Sequence, residues 1–193
     1  MTPFKLRYWA MYLLGTTLFT PSLTAAGESP KRQSALVLAR VLSYEKTLDQ
    51  RVGESVSVAV VYHRGNPASE ANAGEWFTAL NELASTKVKE KRFSPVKIPF
   101  GSAELAAAID RDGIDVLFAS DGLSETEVRA IAQLARAKHV LTASNSVANL
   151  DSNLTLCVLE EAAKTKIFIN LNTAKLEGIE FSSRLLKLVT LVH

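Results

Sequence analysis

The sequence predicts an α/β fold: a single doubly wound, mostly parallel sheet with helices on both faces and a C-terminal antiparallel hairpin strand. Three observations predict it. The runs SVSVAVVY (55–62) and IDVLFA (114–119) are apolar on both faces, as strands of a covered parallel sheet are. Segments with apolar residues at helical spacing alternate with such runs. Near the end, two strand-like runs are joined only by residues 161–164, a link too short for a parallel crossover, so they should pair antiparallel.

The elements follow in order. Ser29-Pro30 opens a helix with proline at its first position, and Ala35, Leu38, Ala39 and Leu42 mark its buried stripe. Polar residues 45–54 close it, with Gly53 in the turn. After the strand 55–62, Asn66 can cap and Pro67 can start a helix whose stripe is Ala73, Phe77, Leu80 and Ala84. A polar connection, 85–92, leads to a strand at 96–100, which Pro95 and Pro99 mark as short or near an edge. Gly101-Ser102 begins an alanine-rich helix, 103–110, before the strand 114–119. Ser124 and Glu127 form a capping-box pattern, and Val128, Ile131, Ala132 and Ala135 give the next helix its buried face. The fourth strand is 139–143.

A less regular stretch, 147–153, precedes the hairpin, with strands at 154–160 and around Ile167, Ile169 and Leu171. A helical turn around Asn172 is stopped by Gly178. Phe181-Ser182-Ser183 begins a final helix running toward Val192, with Ser182 as its cap and Phe181 stapled to Leu186.

Residues 1–26 read as a secretory signal peptide. Lys5 and Arg7 form a positive start, an apolar run extends to Phe19, Pro21 breaks it, and Thr24-Ala25-Ala26 offers a cut before Gly27. The alternative is an uncleaved anchor, for which the apolar run is short of the ~20 residues a spanning helix needs. Cleavage implies a periplasmic protein that touches the membrane only through the leader, with residues 27–193 as one domain. Lys5 and Arg7 are the only charges before residue 27; taking them from the 22 basic side chains leaves 20 against 20 acidic ones. A neutral mature chain has no composition suited to nucleic acid. The single cysteine, Cys157, allows no internal disulfide and lies in an apolar run, where a buried, inert thiol is expected.

In a doubly wound sheet, ligands bind beyond the carboxyl ends of the strands. Three loops belong there, carrying His63, Arg64 and Asn66; Ser120 and Asp121; and Ser144 and Asn145. An imidazole, a guanidinium, a carboxylate and small hydroxyls could hold a small polar ligand. The same residue types also serve as caps and turn formers. No HExxH, GxSxG, Walker A or GxGxxG pattern is present, so neither a catalytic residue, a metal site nor a cofactor is expected.

The chain resembles the YfiR/HmsC-like periplasmic proteins. The residues that carry the likeness are IFINLNTAKLEGIEFSSRLLKLVTLV at the end, the helix 36–48 followed by VSVAVVY, and the IDVLFAS and HVLTAS segments. The resemblance implies a non-catalytic periplasmic α/β protein that binds and restrains an inner-membrane signalling protein such as a diguanylate cyclase, and so acts in cyclic di-GMP signalling. It also implies a homodimer as one state. Redox control through paired cysteines, known in some members, does not carry over to a chain with Cys157 alone. The family's aromatic opening helix ending in Trp-Pro is replaced by Val41-Leu42-Ser43-Tyr44. The alternative reading is a small solute-binding protein holding a polar molecule at the strand ends.

Overall fold

A computed structural model describes residues 29–161 and 164–192. The expected signal peptide lies outside the described residues. Seven strands form one sheet in the order β2-β1-β3-β4-β5-β6-β7. They are β1 (Ser55–Tyr62), β2 (Arg92–Pro99), β3 (Val116–Ala119), β4 (Leu141–Ser144), β5 (Leu156–Glu161), β6 (Lys164–Asn170) and β7 (Thr190–Val192). Neighbours pair parallel throughout, except β5 and β6, which run antiparallel from Leu156↔Ile169 to Glu161↔Lys164. This is the mostly parallel α/β sheet with a C-terminal hairpin that the alternation of elements predicts.

Alternate residues of β1 feed two cores. Val56, Val58 and Val60 join the core shared with α1 (Pro30–Ser43) and α3 (Pro67–Glu82), while Ala59 and Val61 join the one covered by α4 (Ser102–Asp112) and α5 (Glu125–Lys138). Burial on both faces is why β1 needs no polar alternation. The α1 stripe is buried as expected, and the Ser29 side chain accepts from the Arg32 N–H. Ser124 and Glu127 make the full capping box of α5. Cys157 is buried within β5, and burial, with the Asp121 charge behind it, pushes its thiol up to about 12, so it stays protonated and inert.

Several local expectations are corrected. In α3 the buried positions are Ser69, Ala73, Trp76, Ala79 and Leu80, so Trp76, not Phe77, carries the large core ring. The stretch 45–54 is not simply a polar turn: it holds the short helix α2 (Leu48–Arg51), with Leu48 and Glu45 both buried. β2 is longer than expected, and Pro95 sits inside it. Phe100 N donates to Tyr62 O, so by two-residue alternation Pro95 and Pro99 turn their missing donors to the open side of an edge strand. His139 does not begin β4: it ends α5 in the left-handed region, at φ 54°. Asn170, rather than a residue nearer Asn172, caps α7 (Leu171–Leu176), accepting from Thr173 N.

The largest difference is at the end. Ser182 caps a helix as expected, but α8 spans only Ser183–Leu186, and the chain then adds β7 parallel to β6. Val189, Thr190 and Val192 are β-branched and favour extended backbone, and β6 offers an open edge to pair with.

Candidate functional site

The loops after β1, β3 and β4 converge as the topology requires. Asn66 caps α3, its side-chain oxygen accepting from Ala68 N at 3.1 Å and Ser69 N at 3.3 Å. Its amide group donates to Gly122 O at 3.1 Å, tying the first loop to the second. Asp121 Oδ2 accepts from Asn72 Nδ2 at 3.1 Å and from Asn145 Nδ2 at 2.5 Å, and Asp121 N donates to Asn72 Oδ1 at 3.1 Å. Asp121 is therefore the hub joining α3 to the loop after β4. Below it, the buried hydroxyls of Ser69 and Ser120 meet at 3.2 Å. Ser144 turns inward onto its own loop, donating to Ser146 O at 3.0 Å and accepting from Ser146 N at 3.1 Å.

His63 lies at the rim of this network. Its Nδ1 is 2.8 Å from Glu127 Oε1, while Glu127 Oε2 accepts from Ser124 N and Ser124 Oγ, each at 2.8 Å. Burial raises the Glu127 pKa, but the Ser124 bonds and His63 outweigh it and leave it lowered. Ser69 Oγ accepts from the backbone N–H of His63 at 3.0 Å and has no bond to the ring, so imidazole, serine and carboxylate do not form a triad. Arg64 is exposed on the same loop and has no hydrogen-bond or ion-pair partner among the described residues.

Asn66, Ser120, Asp121 and Asn145 are thus brought into one interlocked cluster with Ser69 and Asn72. His63 is linked to it through Ser69, Ser144 stands apart on its own turn, and Arg64 projects alone. Sequence reasoning missed Ser69, Asn72 and the second role of Glu127. Ser69 and Asn72 lie three and six residues after the cap Asn66, on one face of α3, which was the available signal.

Gly122 is the tightest point. Its φ is +81°, and a Cβ there would lie 2.9 Å from Ser69 Cβ and 3.0 Å from Asn66 Nδ2. Gly122→Ala is expected to cost about 2 kcal/mol through left-handed strain and this crowding, read as a lowered denaturation midpoint. An unchanged midpoint would show that the loop relaxes freely.

Among the described residues, no group of three or more His, Cys, Asp or Glu side chains could hold a metal ion, and no helix is long and apolar enough to cross a membrane. A groove of about 650 Å³ flanks α1 and α3, lined by Pro30, Lys31, Glu75, Thr78, Glu82 and Glu160.

The profile of the YfiR/HmsC-like family matches residues 72–190. The chain belongs to the YfiR/HmsC-like family. The match starts inside α3, so the likeness of residues 36–62 to the family's opening elements lies outside it. Membership supports a periplasmic, non-catalytic regulatory role in general. No curated protein matches the chain.

Three solved structures share the fold. A conserved domain protein from Vibrio cholerae O1 biovar El Tor is 13% identical with a TM-score of 0.60, over 85% of this chain and 60% of that one. The ligand-free, open form of a substrate-binding protein with adhesive properties from Clostridium difficile is 16% identical with a TM-score of 0.53, over 76% of this chain and 57% of that one. An ABC domain in complex with L-Trp from Streptococcus pneumonia is 11% identical with a TM-score of 0.57, over 84% of this chain and 60% of that one. This chain spans only 57–60% of the length of these proteins.

Proposed function

We propose that the protein is a non-catalytic periplasmic regulator that binds the periplasmic part of an inner-membrane signalling protein, with a diguanylate cyclase as the first candidate, and so sets cyclic di-GMP output. The family match over residues 72–190 carries this reading. Residues 27–193 are the working unit in this proposal, released by cleavage before Gly27, with a homodimer as one state. Redox control by paired cysteines plays no part, because Cys157 is alone and buried.

The solute-receptor reading has less support. At the strand ends, Asn72 and Asn145 both donate to Asp121 and Asn66 donates to Gly122 O, so a polar ligand would first have to displace those bonds. Arg64, exposed beside that cluster, stays available.

Three measurements test the proposal. Mass spectrometry of the exported protein is expected to find Gly27 at its start. Co-expression with the candidate cyclase is expected to lower cyclic di-GMP, and a membrane pull-down to recover that cyclase. Unchanged cyclic di-GMP together with a pull-down that recovers no envelope signalling protein would remove the regulator reading. A stabilisation of about 2.7 kcal/mol by one metabolite at a hundred times its Kd would replace it with the receptor reading.

A further inference from the structure

The two edges of the sheet are built differently. On β2, Pro95 and Pro99 point their missing donors outward and Lys97 adds a charge within the strand, devices that keep an edge from pairing. The edge at β7 has none of these: Thr190, Leu191 and Val192 carry no charge and no proline. Among the described residues the exposed large hydrophobic side chains are Leu176, Leu188 and Leu191, at 55%, 70% and 37% exposure; Leu191 lies on β7, Leu188 just before it, and Leu176 at the end of α7. Leu176 and Val192 line one hollow of about 290 Å³ with Asn170 and Thr173.

Charge gives this edge a sign. From residue 175 onward, the two carboxylates are already engaged: Glu177 is buried against Thr142 and Thr155, and Glu180 is paired with Lys46 at 3.4 Å. Lys175, Arg184 and Lys187 are exposed and have no ion-pair or hydrogen-bond partner among the described residues. The unpaired charges from residue 175 onward are therefore all positive, while one exposed carboxylate, Asp151, lines the hollow beside Leu176 and Val192.

We propose that the β7 edge is a docking surface for an extended segment of a partner protein that alternates acidic and apolar residues and adds to the sheet as one further strand. Backbone pairing supplies the affinity of such a mode, and the alternating side chains supply its specificity. Apolar residues of the segment cover Leu188 and Leu191, and its carboxylates meet Arg184 and Lys187. A second copy of this chain fits less well, since it would bring a second set of unpaired cations to the same surface. A lipid surface would satisfy the cations and leucines but offers no backbone donors to an open strand. The proposal rests on the reading of the protein as a binder of protein partners, and it names the surface used.

The test uses isotope-labelled protein and a synthetic end-capped peptide of alternating glutamate and valine. The expected result is saturable binding, with amide shifts and exchange protection centred on Thr190–Val192 and β6. A lysine-for-glutamate peptide, and a version with central prolines, are expected not to bind. Leu188→Glu and the pair Arg184→Glu, Lys187→Glu change exposed side chains and should leave melting unchanged while weakening binding about tenfold.

Equal binding of the lysine peptide, or shifts elsewhere on the protein, would overturn the proposal. So would a dimer that protects the β7 amides without peptide, or binding to phosphatidylglycerol vesicles that Leu188→Glu abolishes. The cyclic di-GMP assay separates this inference from the broader one. Peptide binding at β7, with cyclic di-GMP unchanged and no envelope signalling protein recovered in the pull-down, keeps the docking edge and removes the regulator reading. A folded Leu188→Glu variant that still lowers cyclic di-GMP fully overturns the edge as the partner's seat.

Discussion

Glu177→Ala is expected to destabilise the protein by about 3–5 kcal/mol, one of the two largest single-site effects. Glu177 is completely buried at the end of α7 and holds the C-terminal segment onto the middle of the sheet. Its carboxyl group accepts from Thr142 N at 3.0 Å, Thr142 Oγ1 at 2.5 Å and Thr155 Oγ1 at 2.7 Å. Alanine would leave those three donors buried without partners and open a cavity beneath β4 and β5.

The same residue makes stability depend on pH. Burial, opposed by the bonds from Thr142 and Thr155 and by the more distant Arg136 charge, pushes the Glu177 carboxyl up to about 7 from 4.5. The folded state then holds this proton more tightly than the unfolded state. Its stabilising contribution is fully present below 4.5 and is lost as pH rises toward about 7, above which both states are ionised and the cost is constant. The gap corresponds to about 3 kcal/mol. Glu177→Gln keeps the shape and stays neutral, so its stability relative to the native protein should improve by about that amount between about pH 4 and about pH 8. Parallel stability curves for the two proteins would mean that Glu177 does not titrate in this range.

Trp76→Ala is the second large effect, expected at about 3–5 kcal/mol. The Trp76 ring is fully buried between α1, α3 and the sheet, with its centroid 4.1 Å from that of Phe118 at 40°. Lys31 Nζ lies 5.5 Å from the same ring, so truncation also removes a cation–π contact at the start of α1. The indole Nε1 is buried without a hydrogen-bond partner. Trp76→Phe therefore loses volume but no polar bond, and should cost only about 1–2 kcal/mol. A phenylalanine variant as unstable as the alanine one would indicate that the indole N–H does have a partner. Urea unfolding followed by circular dichroism distinguishes these outcomes. In a protein lacking residues 1–26, Trp76 is the only tryptophan, and its emission should shift to the red on unfolding.

Legibility in the sequence followed the range of the forces involved. The doubly covered strands 55–62 and 114–119, the capping box of Ser124 and Glu127, and the short link between β5 and β6 all act within a few residues. Reading them needs no knowledge of the rest of the chain. The α3 stripe was less legible because Trp76 and Phe77 are adjacent and both apolar, and which ring turns inward depends on Phe118 across the core. At the candidate site, the three loops were placed correctly by the strand-end rule, but the rule does not say what their side chains bond to. Asn72 reaches Asp121 from a helix 49 residues away in sequence, and no local pattern announces that.

By itself, the sequence determined the class of fold, the alternation of helix and strand, most helix caps, and a resemblance whose strongest marker is the C-terminal run. Each of these rests on periodicity, turn chemistry or a run of residues read in place. The tertiary structure alone decided that the last residues form β7 instead of extending a helix. It also decided that Glu177 is buried under two threonines and that the polar loop residues bind one another. The reason is physical: a strand edge, a buried carboxylate and an interlocked cluster exist only once distant segments meet, so their energies depend on partners that no local stretch contains.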